Sequence, residues 1–347
     1  MAQRIKIINP LVFPEWDSFV LATGKCSFFH SSAWARVLSE TYGYKPLYFS
    51  IIDGHRLLAM VPIMEVESFL TGKRGVSLPF SDHCELIWNG KDEIEKLIKT
   101  IIDYGRGNGW KYLELKPGRR IKNDLQASTL YLSHKLDITK KEDLLFAGLR
   151  DSTKRNIKKA LQAGVECSVN YSLEAIEQFY ALNCMTRKHH GIPPQPFKFF
   201  KNVYKHIVSK KQGTVILASH ADKVVAGAVY FHFGKGVLYK YGASDRAHQN
   251  IRANYLVMWN AIQWYCRNDY ELFDMGRTES DNKGLNQFKT GWNTQPEEIV
   301  YYKYYMKEQS FMPDRDQSSS PMTDRIMPYL PATILRLIGN VAYRHVA

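Results

Sequence analysis

Apolar residues recur along this chain with two periods, and the order in which the periods alternate is the first indication of its fold. Trp34 to Tyr42 has helical spacing, Leu47 to Ile52 alternates as a strand into the turn Asp53-Gly54, and a second strand is predicted from Arg56 to Glu65. After a short apolar piece, Leu86 to Trp88, residues Ile94, Leu97, Ile98, Ile101 and Ile102 fall on one helical face. Trp110 to Leu115 then alternates as a strand. The predicted order is helix, hairpin, helix, strand.

That order returns further along. Helical patterning runs from Leu173 to Arg187 and again around Phe197 to Ile207. Val215 to Ser219 and Val224 to Phe233 flank the turn residues Ala221, Asp222 and Lys223, and another strand is predicted from Val237 to Ala243. A helix from Arg252 to Arg267 leads to a strand from Tyr270 to Met275. The segment Asn108-Gly109-Trp110-Lys111-Tyr112-Leu113-Glu114-Leu115 is echoed by Asn268-Asp269-Tyr270-Glu271-Leu272-Phe273-Asp274. The pattern therefore predicts an α/β chain with mixed sheets that has been duplicated, each copy burying one face of its layers and the pair leaving a cleft.

The boundaries expected from this reading are a first domain over 1–145, a second over 146–310, a linker over 311–321 and an amphipathic helix over 322–347 docked on the first domain. The linker is read from the Pro/Ser-rich run Pro313 to Pro321. In the tail, Ile334, Leu335, Leu337, Ile338, Val341 and Val346 accompany Arg336 and Arg344, a pattern open to docking on protein or to lying on a membrane surface. Between the halves, Arg150 to Lys159 places several cations on one helix, either an anion-binding ridge or a solvated face.

Composition narrows the partners. At 347 residues, with 45% hydrophobic and 23% charged positions, the chain has material for two cores and a soluble surface. Lys and Arg number 47 against 34 Asp and Glu, a net charge of +13 that favours anions such as transfer RNA, a coenzyme A thioester, a nucleotide-linked sugar or an anionic lipid surface. The five cysteines, Cys26, Cys84, Cys167, Cys184 and Cys266, lie too far apart in sequence for a zinc or redox motif, so no metal is expected. With neither a secretory leader nor ~18 consecutive apolar residues, the expected location is cytoplasmic, with peripheral membrane contact through the C-terminal helix left open.

The block richest in chemistry is Phe273-Asp274-Met275-Gly276-Arg277-Thr278, followed across a polar loop by Gly284 to Trp292. A strand ending in glycine and a cation, then a loop with the pair Phe288-Lys289, suits a cleft in which developing negative charge has to be met. Asp274 is open to two roles, a base or a structural hydrogen-bond acceptor. Tyr239 and Tyr241 are spaced to share a strand face, facing either a substrate or a core. Adjacent His189 and His190 on a helix point apart and make a poor metal site. Ser81-Asp82 is a turn or a substrate contact.

Set side by side, Trp34-Ala35-Arg36-Val37, Ala163-Gly164-Val165-Glu166, Met185 to Ile192, Leu238 to Ser244, Ala253-Asn254-Tyr255, Ile262-Gln263-Trp264 and Phe288-Lys289 resemble the Fem family of non-ribosomal aminoacyltransferases, including related proteins found beside exopolysaccharide genes. The resemblance implies two tandem acetyltransferase-like (GNAT) domains, the second holding the acyl donor. It implies that Lys289 steadies the oxyanion as an amine attacks an ester or thioester, with Phe288 positioning the donor. Tyr239, Tyr241, Ser244, Asn254, Arg277, Trp292, Arg187, Arg36 and Asp82 are then the expected substrate contacts. The donor would be an aminoacyl-tRNA or an acyl-CoA, with no tightly bound cofactor, and the acceptor an amine on a cell-envelope, peptidoglycan or polysaccharide precursor.

The sequence departs from the family where its members carry phosphate-gripping cations, at positions occupied here by Leu38 and Gln195, which points to a different acceptor. It also lacks the long helical arm of members that use aminoacyl-tRNA. Gln249-Asn250-Ile251-Arg252-Ala253-Asn254 lacks the glycines of a coenzyme A pyrophosphate loop, which ranks a thioester donor second. An acetyl-CoA-dependent N-acetyltransferase and a non-catalytic binding or scaffold protein of an envelope or exopolysaccharide system are the competing expectations.

Overall fold

The computed structural model describes residues 4–54, 56–88, 90–122, 124–314 and 327–346. The first elements are β1 (Ile5–Ile8), α1 (Trp16–Leu21), α2 (Ser32–Tyr42), β2 (Lys45–Asp53), β3 (Arg56–Ser68), β4 (Gly72–Val76), β5 (Ile87–Trp88), α3 (Lys91–Gly107) and β6 (Tyr112–Leu115). There follow β7 (Thr129–Asp137), α4 (Glu142–Gly148), α5 (Asp151–Gln162), β8 (Glu166–Asn170), α6 (Leu173–His189), α7 (Phe197–His206), β9 (Gly213–His220), β10 (Lys223–Phe233) and β11 (Gly236–Ser244). The rest are α8 (Ala253–Arg267), β12 (Leu272–Glu279), α9 (Lys283–Thr290), β13 (Gln295–Tyr305), β14 (Ser310–Phe311) and α10 (Ala332–Ala342).

The chain divides into two units: unit 1 comprises Met1–Tyr131, Glu298–Gln317 and Ala342–Ala347, and unit 2 comprises Leu132–Glu297 and Ser318–Val341. In unit 1, β1 to β4 pair antiparallel in succession, β6 joins β4 in parallel, and β13 pairs antiparallel with β6. The α3 stripe Ile94, Leu97, Ile98 and Ile101 shares one core with Phe49, Val61, Leu113 and Tyr302. Each such aliphatic side chain removed from water contributes roughly 1.5–3 kcal/mol, and this stripe is what seats the helix on the sheet.

In unit 2, β8, β9, β10 and β11 pair antiparallel and β12 joins β11 in parallel. Ile157 and Ala160 of α5 and Val257, Ala261 and Tyr265 of α8 share a core with Tyr230 and Phe273. Both units thus contain a parallel strand pair joined through a helix, β4–α3–β6 and β11–α8–β12, as the duplicated pattern predicts. The echo between the halves is one helix-ending device. Asn108 Nδ2 donates to Tyr104 O at 2.8 Å and Asn268 Nδ2 to Trp264 O at 2.7 Å. Gly109 and Asp269 turn left-handed at φ 71° and 59°. Trp110 N and Tyr270 N then close back on Gly105 O and Tyr265 O. These contacts satisfy the carbonyls a helix end leaves exposed.

The unit boundaries differ from those expected. Residues 132–145 group with unit 2, and 298–310 return to unit 1 through β13. Phe311, expected in a linker, pairs in β14 with Tyr304; 315–321 of that linker and 322–326 of the expected tail helix lie outside the described residues. Helix α10 belongs with unit 2 up to Val341, whereas the sequence placed it on the first domain. Gly339 abuts the Pro194 carbonyl, where any side chain would collide, Leu335 is buried, and the Arg336 guanidinium stacks 5.7 Å from the Tyr180 ring. Ile334, Leu337 and Val341 remain exposed. Among the described residues, no helix is long and apolar enough to cross a membrane.

Candidate active site

The pairing of β11 with β12 is confined to Gly236–Leu238 opposite Leu272–Asp274, so the two strands part beyond that point. Tyr239, Tyr241 and Ser244 lie on the parted end of β11, and Gly276 and Arg277 on that of β12. A parallel pair that opens in this way exposes backbone groups no neighbouring strand takes up, a common setting for ligand binding.

On β12 the strand does not end at glycine, as expected, but continues to Glu279 with Gly276 at φ 69° inside it. Asp274 Oδ1 accepts from Gly276 N at 2.7 Å and holds the distortion. Lys289, 2% exposed, donates from Nζ to Gly276 O at 2.8 Å and to Arg277 O at 3.0 Å. Successive carbonyls of a regular strand point opposite ways, so one ammonium reaches both only because the left-handed glycine turns one of them. An ammonium has three N–H groups, and two carbonyls on one side fix the direction of the third.

Lys289 lies on a helix, α9, where the sequence predicted a loop. Asn282 caps it by accepting from Leu285 N at 3.0 Å, and Thr294 Oγ1 holds the Lys289 carbonyl at 2.9 Å. Phe288 meets Tyr255 edge to face at 5.2 Å between ring centroids. Trp292 is fully buried and lies 6.1 Å from Tyr255 in a stacked arrangement. Trp292, expected as a substrate contact, packs its indole against Tyr255 and Phe288 within the core. The bond from Asp274 Oδ1 to Gly276 N is a structural contact of the kind that one of its two expected roles requires.

Two residues of this cluster were not singled out from the sequence, His134 on β7 and Asn286 on α9. His134 Nε2 stands 2.8 Å from Asn286 Oδ1, and Nδ1 is buried with no hydrogen-bond partner in the protein. With Asn286 accepting, Nε2 carries the hydrogen and Nδ1 the lone pair. Burial lowers the His134 pKa below 6.5, the Lys289 ammonium adding to the effect and Asn286 and Asp274 opposing it. The Thr278 hydroxyl is likewise buried without a partner. Some 150 residues of sequence separate His134 from Asn286, and no local motif signals the pair.

The two tyrosines do not share a face. Tyr239 pairs with Tyr230 and Tyr241 with Val229, so Lys240 is an extra residue that reverses the alternation. Tyr239 packs beside Tyr230 at 5.5 Å, and burial pushes its pKa up to about 12, keeping the phenol neutral. Tyr241 packs against Phe200 at 5.5 Å on the α7 side. At the end of β11, Ser244 Oγ accepts from Asn254 Nδ2 at 3.0 Å, and Ser244 N donates to Thr186 Oγ1 at 3.2 Å. Thr186 and Ser244 line a cleft of 340 Å³ together with His189, Arg246 and Gln249. Arg187 is the next residue along α6.

Arg36 and Asp82 belong to unit 1, where Arg36 donates to Leu11 O at 3.3 Å and the Asp82 carbonyl accepts from the Tyr301 hydroxyl. Leu38 is fully buried in α2, a core position rather than a vacated phosphate grip. Along α5, Thr153, Ile157 and Ala160 are buried while Arg155, Lys158 and Lys159 face solvent. Among the described residues, no group of His, Cys, Asp and Glu is placed to hold a metal.

Comparison with known proteins bears on the fold. Residues 147–290 match the family described as "Acetyltransferase (GNAT) domain", which covers the parted strands and Lys289. Over 130 residues the chain is 24% identical to the UDP-N-acetylmuramoylpentapeptide-lysine N(6)-alanyltransferase of Weissella viridescens, a match that spans 38% of each chain. The fold resembles the crystal structure of FemX, with a TM-score of 0.67, 12% identity and coverage of 86% of this chain and 96% of that one. It also resembles a tandem GNAT protein from the clavulanic acid biosynthesis pathway, with a TM-score of 0.56, 9% identity and coverage of 87% and 99%. The chain thus has the tandem GNAT fold, similar to that of FemX, as its motifs suggested.

Proposed function

We propose that this protein is an acyltransferase that moves an aminoacyl or acyl group from an activated ester or thioester to an amine on a cell-envelope, peptidoglycan or polysaccharide precursor. The observation that carries this reading is the buried Lys289 ammonium, held by Gly276 O and Arg277 O where β12 leaves β11. The amine nitrogen bonds to the acyl carbon, negative charge collects on the carbonyl oxygen, and a fixed cation stabilises that charge more than the neutral ground state. The C–O or C–S bond then breaks, and the proton shed by the nitrogen passes to the departing oxygen or sulfur. The alanyl transfer named for the Weissella relative is a reaction of this class.

An ester donor such as aminoacyl-tRNA is favoured over a coenzyme A thioester by the loop between β11 and α8. Asp245 at its start accepts from Ala247 N at 3.0 Å and lies 2.8 Å from Lys223. With its N–H already given to Asp245, Ala247 has no amide to offer a pyrophosphate at the place where acetyltransferases supply amides to one. The match to an acetyltransferase domain keeps the thioester as the second reading.

The test supplies the full-length protein with aminoacyl-tRNA or with acyl-CoA, alongside amine-bearing peptide and sugar precursors, and follows donor consumption and product mass. Ester-dependent product supports the reading. Donor decay at the protein-free rate with every combination removes it and leaves the scaffold interpretation.

A further inference from the structure

Unit 1 carries a feature that acyl transfer does not use. The turn between β3 and β4 presents Phe69 and Leu70 to solvent at 85% and 62% exposure, and Val346 is 67% exposed. The last described residues are tied to that same turn. Ser68 Oγ and His345 Nδ1 are 2.8 Å apart, the Phe69 and His345 rings meet edge to face at 4.8 Å, and Thr71 Oγ1 donates to His345 O at 3.0 Å. Two consecutive large apolar residues at a hairpin tip, with a third beside them, lose free energy in water and contribute nothing to the core.

Next to the tip lies a cavity of 860 Å³ whose wall includes Thr71, His345 and Val346. Its charged lining is Arg74, Lys111, Lys303 and Lys307 against Glu114 and Glu308. Arg74 is 2% and Lys303 3% exposed; Lys303 pairs with Asp314 at 2.9 Å and Glu114 with Lys116 at 3.1 Å, and the cations still outnumber the carboxylates. Lys111 and Lys307 of that lining face solvent.

We infer that this edge of unit 1 docks on an anionic phospholipid surface, with Phe69, Leu70 and Val346 entering the acyl-chain boundary and an anionic lipid headgroup taken by the cavity. Apolar residues beside a cationic recess match the two layers of such a surface, because tips favour the interface by desolvation and each nearby Lys or Arg adds attraction to anionic lipid. The inference stands on unit 1 alone and is separable from the transfer chemistry of unit 2.

Sedimentation of the full-length protein with phosphatidylglycerol/phosphatidylcholine vesicles, and with phosphatidylcholine alone, tests it. Binding is expected only with the anionic lipid, and should weaken about tenfold or more in Phe69→Ser/Leu70→Ser and in Lys111→Glu/Lys307→Glu. These residues are exposed, so both variants should keep the wild-type circular dichroism and melting temperature. Glycerol 1-phosphate should compete weakly, since it lacks the chains. No vesicle binding, equal binding to both vesicle types, unchanged binding of either variant, or binding of glycerol 1-phosphate in preference to vesicles would each overturn the inference.

Discussion

His134 Nε2 and Asn286 Oδ1 lie 2.8 Å apart across β7 and α9, and the contact leaves the other imidazole nitrogen buried as a lone pair. His30 and His232 are likewise held below the ordinary histidine pKa by burial. A depressed folded pKa means that the unfolded chain binds protons more readily. The stabilisation is complete above about pH 6.5 and is lost as pH falls from there toward the folded values. Urea unfolding should therefore give a lower free energy at about pH 5.5 than at about pH 7.5, and His134→Gln should narrow that gap. A gap unchanged in the variant would show that His134 does not contribute to it.

Gly276 tests the distorted strand. A Cβ at φ 69° costs about 1–2 kcal/mol, and relaxing that strain turns its carbonyl away from Lys289. Gly276→Ala should lower the melting temperature and slow transfer together. A variant that melts lower but transfers at the wild-type rate would separate the bulge from the chemistry.

Leu38 tests whether its place on α2 is a core position or part of a site. Because the side chain is fully buried, Leu38→Lys places an ammonium in the α2 core and should cost ~3 kcal/mol or more, without adding affinity for a nucleotide-linked muropeptide. Denaturant titration and ligand binding check the two halves. A stable variant that gains muropeptide affinity would show that the position faces a site after all.

Much of the architecture was readable from the chain. The spacing predicted α2, α3, α6, α7 and α8 and both hairpins to within a few residues, because each buries a one-sided stripe with the period of its element. Strand β13 gave no such signal: Gln295 to Glu298 are exposed and Ile299 to Tyr304 all buried, Lys303 included, so it shows neither alternation nor an all-apolar run. Its return to unit 1 is a long-range pairing, which local patterning does not encode. The Lys240 bulge escaped for a related reason. A single extra residue reverses the faces of Tyr239 and Tyr241 without altering composition. Lys289 was legible through its motif, but the carbonyls that hold it come from another element, and His134 reaches the cluster only through the fold.

The central claim is that the Lys289 ammonium stabilises the charged intermediate of acyl transfer. Removing it also strips a donor from two carbonyls, at about 1–3 kcal/mol each if they stay buried, so activity must be compared at matched folded fraction. The most direct measurement is the single-turnover transfer rate of wild type, Lys289→Met and Lys289→Arg with a common donor and acceptor. A fall of about 10²–10³-fold in folded Lys289→Met, partly restored in Lys289→Arg, is the expected result. Transfer by folded Lys289→Met at the wild-type rate would contradict it.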